Sequence, residues 1–259
     1  SLTLRMTGGA ANRVGLWATP TVYQPVENPP IYVLYLVDTL AARRMSLYGY
    51  ERPTTPRIDA LAQRGVWFAN MRTQAPVTVA SLPHMMLSMP TERHGVSMAS
   101  IGIPPALVTM AETFQAAGYA TASFVTSEYA GPRQNMDQGF DYFDDRVSLF
   151  WLEPRADRTV PIDDVMEWMK RRSDRPMFVY IHTAEPHAPY LPPEGFRGKF
   201  DPDYTGAVDG TIDRERGIFS AKTPRDIEHV RALYDEEVLY ADHRFGEFED
   251  ALKEAGLLD

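Results

Sequence analysis

The chain contains no cysteine. Disulfides, thiolate metal sites and a cysteine nucleophile are therefore excluded, while the cellular compartment stays open. Long apolar runs are also missing. The longest, from Ile31 to Val37, falls far short of the roughly 20 residues a membrane-spanning helix needs. There is no basic block, and the net charge is -9. Nucleic acid is not an expected partner, because neutralising phosphates requires clustered Lys and Arg. No signal-peptide pattern is visible. The first residue is Ser1 rather than Met, which leaves an upstream export signal or anchor open.

What is present is a globular composition. Hydrophobic residues make up 44% of the chain and charged residues 24%. A substantial core is possible, and wholesale disorder is not expected. A length of 259 residues suits one large domain or two small ones.

Residues 1–30 read as an irregular lead-in, with Gly8-Gly9 and prolines at 20, 25, 29 and 30. Residues 31–37 are β-branched and aromatic, apolar on both faces, as in a central parallel strand. Thr55 before Pro56 predicts a helix N-cap, and Gly65 its stop. Val66 to Ala69 predicts a short strand. Helices are predicted over 81–89 (starting near Thr78 or Ser81), 107–117 and 162–171, with one or two long helices over 224–255. Further strands are predicted at 119–125 and from Met177 to His182. Alternating strands and helices predict an α/β domain with a mostly parallel sheet. Ligands collect at the carboxyl ends of such strands. Asp38 ends one predicted strand and His182 another, so both belong to that edge.

Several residue types there carry chemistry. Asp38 is either a strand-end cap or a ligand for a hard divalent cation. Thr78, in A-P-V-T-V-A-S, is either a helix N-cap, with Ser81 as a second candidate, or a nucleophile that a metal at Asp38 would activate. His182 and His187 sit in H-T-A-E-P-H-A-P-Y-L-P-P. They are either loop histidines or the groups that bind an anionic ester and protonate its leaving oxygen. His94, His229 and His243 read as structural or surface residues. Asp137 and Asp141 lack the ligand spacing of a calcium loop and read as turn residues.

Four collinear blocks resemble the sulfatase family of the alkaline-phosphatase-like superfamily. The first runs from V-D-T-L-A-A-R-R-M-S-L-Y-G-Y-E-R-P-T-T-P. The second is A-P-V-T-V-A-S-L-P-H-M-M-L-S-M-P-T-E-R-H-G-V. The third is the His182–His187 segment, and the fourth is L-Y-D-E-E-V-L-Y-A-D-H-R-F-G. The resemblance covers residues 31–259. It implies a three-layer α/β/α sandwich of alkaline-phosphatase-like type, incomplete at the C-terminus. It also implies a divalent metal (Ca²⁺, Mg²⁺ or Zn²⁺) at Asp38 and Thr78, with Thr78 at the nucleophile position. His187 and, less directly, His182 fall at the anion or leaving group, with Ser81 and His187 as substrate-binding residues.

The chain departs from the family pattern at informative places. The family's formylglycine motif is Cys or Ser, any residue, Pro, any residue, Arg; here the window is T-V-A-S-L, so no formylglycine is expected. Ala80 replaces the Pro and Leu82 the Arg. Thr39 stands where many members carry a second metal-binding Asp. A threonine in this context resembles the phosphoethanolamine-transfer branch of the superfamily. The family's next element, a strand with Asp-His-Gly and two more ligands, would follow Asp259, so the metal site is expected to be held only in part.

The expected function is metal-dependent hydrolysis of sulfate or phosphate esters, on a small molecule or a glycan. The alternatives are a phosphoethanolamine or phosphoryl transferase and a decayed binding module. An extracytoplasmic location, periplasmic or membrane-anchored, is expected. Oligomeric state is not readable from the sequence.

Overall fold

The structure, a computed structural model, describes residues 23–97, 102–146, 159–213 and 218–258. Residues 1–22 of the expected lead-in lie outside them. The chain folds around a parallel sheet of four strands: β1 (Ile31–Val37), β2 (Ala120–Val125), β3 (Tyr142–Asp144) and β4 (Met177–Thr183), in the order β1-β4-β2-β3. A two-stranded antiparallel ribbon, β5 (Ile212–Asp213) with β6 (Ile218–Phe219), stands apart.

Strand β4 is the centre. Every one of its residues is buried, and it pairs with β1 on one side and β2 on the other. The expectation that 31–37 is central is corrected. Strand β1 is at the edge among the described residues, and most of its side chains are only half-buried. Its two apolar faces still have a cause, since the sheet is covered on both sides. Val33 and Tyr35 pack with helix α5 (Ile162–Lys170) and helix α6 (Pro224–Glu254) through Val165, Met169, Phe248 and Leu252. Leu34 and Leu36 pack on the opposite face, with helix α2 (Thr78–Leu87) and helix α4 (Met110–Ala116), through Leu82, Met86 and Ala111. This is the expected α/β/α sandwich.

Two short helices complete the frame: α1 (Pro56–Ala62) and α3 (Thr91–His94). Helix α1 leans on α6, where the Asp242 carboxylate accepts the backbone N–H groups of Arg57 and Ile58, both at 2.9 Å. Those are N-terminal amides with no acceptor inside their own helix. Helix α4 starts in a full capping box between Thr109 and Glu112. Helix α6 is a single helix of 31 residues. None of the helices among the described residues is long and apolar enough to cross a membrane.

One local expectation fails. Val66 to Ala69 forms no strand: Val66 is 84% and Phe68 65% exposed, with no partner strand beside them. Thr55 sits at the N-cap of α1 before Pro56, as expected, although its hydroxyl donates to Asp59 and pairs with Ser46 rather than capping an amide.

Candidate active site

The carboxyl ends of β1 and β4 and the start of α2 meet at one cavity of about 560 Å³. The register explains the meeting. Leu36 pairs with His182 and Val37 with Thr183, so Asp38 leaves the sheet one step beyond the His182 level. The Asp38 amide donates to Thr183 O at 2.8 Å, which extends the ladder into the loop. Thr78 Oγ1 then donates to Asp38 Oδ2 at 2.9 Å. His182 Nε2 lies 3.4 Å from the same oxygen, within ion-pair reach but outside hydrogen-bond geometry. His187 and Ser81 also line the cavity. All five expected site residues therefore share one space.

Thr78 is not the N-cap. Val77 holds that position, and no side chain caps the helix. Ala80 and Ser81 already donate to Val77 O, so the Thr78 and Val79 amides are the ones at this terminus without an intrahelical acceptor. Open amides at a helix N-terminus favour an anion. Ser81 Oγ reaches only Thr78 O, at 3.4 Å. The His187 ring is oriented by Nδ1, which donates to Ala188 O at 2.8 Å.

Burial pushes the Asp38 carboxyl up, but His182, the Thr78 hydroxyl and His187 outweigh it and hold the group below the usual carboxylate range. Asp38 is thus ionised at neutral pH. Among the described lining residues there is no Lys or Arg.

The donor chemistry suits part of a metal's shell. Asp38 offers a carboxylate, Thr78 a hydroxyl and His182 an imidazole. His182 is fully buried, and neither of its ring nitrogens has a hydrogen-bond partner among the described residues. A buried imidazole left orphaned beside a carboxylate fits a divalent cation. The set is nonetheless incomplete, since no group of three or more His, Asp or Glu side chains among the described residues surrounds one point. Zinc takes about four donors and magnesium or calcium about six.

Sequence reasoning missed three polar lining residues: Thr73, Ser127 and Tyr129. Ser127 lies two residues past the end of β2, so strand-end logic extended by one position would have found it. It also missed Tyr234 of α6. Its hydroxyl donates to Thr39 O at 2.7 Å and accepts from the Ala41 amide at 2.9 Å. Thr39 has φ of +57°, a left-handed conformation that a β-branched residue adopts at a cost of about 1–3 kcal/mol.

A parallel sheet covered by helices on both faces, with a carboxylate–hydroxyl pair at the strand ends, defines the class: an α/β protein whose candidate site lies at the carboxyl edge of its sheet. The chain belongs to the sulfatase family, whose model matches residues 30–259. It is 30% identical to a steryl-sulfatase of Mus musculus over 118 residues, 41% of this chain and 19% of that protein. Its fold matches the zinc complex of the C-terminal periplasmic domain of EptC from Escherichia coli, with TM-score 0.62, 21% identity and coverage of 88% of this chain and 61% of that one. It also matches the lipooligosaccharide phosphoethanolamine transferase A of Neisseria meningitidis, with TM-score 0.64, 20% identity and coverage of 90% and 40%. The chain thus spans less than two thirds of each of these proteins.

Proposed function

We propose that this chain carries the nucleophile part of a site that cleaves sulfate or phosphate esters, with Thr78 as nucleophile. The observation that supports it most is the 2.9 Å hydrogen bond from Thr78 Oγ1 to Asp38 in a cavity at the strand ends. Donating that hydrogen bond fixes the hydroxyl rotor and leaves the Oγ1 lone pairs free for a metal or an ester. A carboxylate held ionised is a weak base, so Asp38 orients the nucleophile and supplies negative charge for a cation. Asp38, Thr78 and His182 would hold part of a divalent metal's shell. Such a metal lowers the hydroxyl's pKa and offsets charge on the ester oxygens.

The ester's anionic oxygens face the open amides of Thr78 and Val79, which stabilise charge as it builds. Thr78 Oγ1 gives up its proton to water in the open cavity as it forms the new bond to sulfur or phosphorus. The bond to the leaving oxygen breaks, and His187 donates a proton to that oxygen. Water then releases the Thr78 ester.

A second reading replaces water by an acceptor alcohol, making the protein a phosphoethanolamine or phosphoryl transferase. A threonine at the nucleophile position and the fold likeness to the Neisseria transferase support it. An extracytoplasmic location accompanies either reading.

The test is trapping. The protein is incubated with 4-nitrophenyl sulfate and, separately, bis(4-nitrophenyl) phosphate, with Zn²⁺, Mg²⁺ or Ca²⁺. Intact-mass and peptide spectrometry then look for a sulfuryl or phosphoryl adduct. An adduct on Thr78, absent in Thr78→Ala and reduced in Asp38→Ala, is expected. Ester cleavage unchanged in Thr78→Ala would overturn the assignment. Stoichiometric metal without any turnover would indicate a binding module.

A further inference from the structure

Asp38 is held from two sides, and only one belongs to the sheet. Upstream, its amide is tied to Thr183 O of β4. Downstream, the chain turns through Thr39 at φ +57°. A threonine does not stay in that region unless its surroundings over-determine it. The contacts that do so come from α6, far away in sequence. The Tyr234 hydroxyl donates to Thr39 O and accepts from the Ala41 amide, bridging the peptides on either side of Leu40. The Tyr234 ring is itself fixed edge-on against Tyr190, at 5.3 Å between centroids. One turn further along α6, Glu237 accepts the Leu191 amide at 2.6 Å. Tyr190 and Leu191 belong to the loop that carries His187. One face of α6 therefore grips both loops of the cavity.

We infer that Tyr234 is a positioning residue: by clamping Thr39 in its left-handed turn, its hydroxyl sets the Asp38 carboxylate at hydrogen-bonding distance from Thr78. The inference rests on the reading of Thr78 and Asp38 as the working pair. The hydroxyl does not touch the cavity's reacting atoms; it acts through the backbone. Without it, the Thr39 carbonyl and the Ala41 amide lose their partner, and the strained turn loses what holds it. Thr39 then relaxes toward negative φ, and the peptide that follows Asp38 rotates. Asp38 moves off Thr78, although the sheet below is untouched.

The chemistry points to a specific rescue. Glycine occupies the left-handed region without a Cβ penalty. In a Thr39→Gly background the turn no longer depends on the clamp, so the hydroxyl becomes dispensable. A merely structural role for Tyr234 predicts no such rescue, because lost packing would not be restored by removing a side chain elsewhere. Tyr234→Phe keeps the ring against Tyr190 and removes only the oxygen.

The experiment labels threonine methyls with ¹³C and follows the Thr78 resonance, identified by its loss in Thr78→Ala. Asp38→Ala gives the resonance position of a Thr78 without its acceptor. Tyr234→Phe is expected to move the resonance toward that position, and Tyr234→Phe with Thr39→Gly to return it. Turnover of 4-nitrophenyl sulfate and bis(4-nitrophenyl) phosphate is measured in parallel. In Tyr234→Phe, kcat is expected to fall on the order of 10- to 100-fold with KM little changed, as for a misplaced reacting group. A Thr78 resonance unmoved by Tyr234→Phe overturns the inference, as does a shift that Thr39→Gly fails to reverse. Turnover that is absent, or unaffected by Thr78→Ala, defeats the functional reading instead, and the resonance still decides the role of Tyr234.

Discussion

Replacing Asp242 with asparagine isolates one buried carboxyl whose ionisation the fold opposes. The side chain is 1% exposed and lies against the start of α1. Burial pushes its pKa up from 3.8 to about 6, against the pull of the Arg57 and Ile58 amides. The folded protein therefore binds a proton here that the unfolded chain, between pH 4 and 6, does not. The stability contributed by that proton is fully present below about pH 4 and is lost as pH rises through about 6. A shift from 3.8 to about 6 corresponds to about 3 kcal/mol, at roughly 1.4 kcal/mol per unit. Asparagine does not titrate, so the variant lacks this slope. The assay is urea unfolding of both proteins at closely spaced pH values, with m checked for constancy. The wild-type advantage over Asp242→Asn is expected to shrink by about 3 kcal/mol from pH 4 to pH 7. A difference that stays flat across that range would refute the reasoning, because the carboxyl would then titrate alike in both states.

Three further outcomes are expected. Met169→Ala, at a site of zero exposure between α5 and the sheet, should cost about 2–5 kcal/mol in denaturant unfolding. Thr109→Ala removes one half of the α4 capping box and should cost about 1 kcal/mol by the same measurement. Val66→Lys should shift the unfolding midpoint by little, within about 0.5 kcal/mol, since Val66 is 84% exposed. A large loss there would restore the strand expected for that segment.

The core strands were legible because their side chains announce burial. M-F-V-Y-I is a continuous apolar run and A-T-A-S-F-V a run of small and apolar residues, and both strands are wholly buried. The same reasoning misjudged β1, whose run is as apolar but whose place is at the edge. Composition reports that both faces are covered and says nothing of which edge is paired. It failed at Val66 to Ala69 for a related reason: an apolar run becomes a strand only beside a partner. Strand β3 escaped notice because it has three residues and only Asp144 among them is buried. Asp38, Thr78 and His182 were legible as strand-end or helix-start residues of the right chemical types. Tyr234 was not, since its role is a hydrogen bond to a backbone carbonyl 195 positions away, which leaves no trace in local pattern.

The in-register pairing of Leu36 with His182 means that side-chain direction along β4 alternates strictly between two chemistries. Odd and even positions serve opposite layers, and His182 is on the layer shared with Leu36 only by parity. A single-residue insertion early in β4 would leave a well-packed sandwich able to re-pair one step along, yet it would point the imidazole into the wrong layer. The number of residues between Met177 and His182 thus decides which layer the imidazole faces.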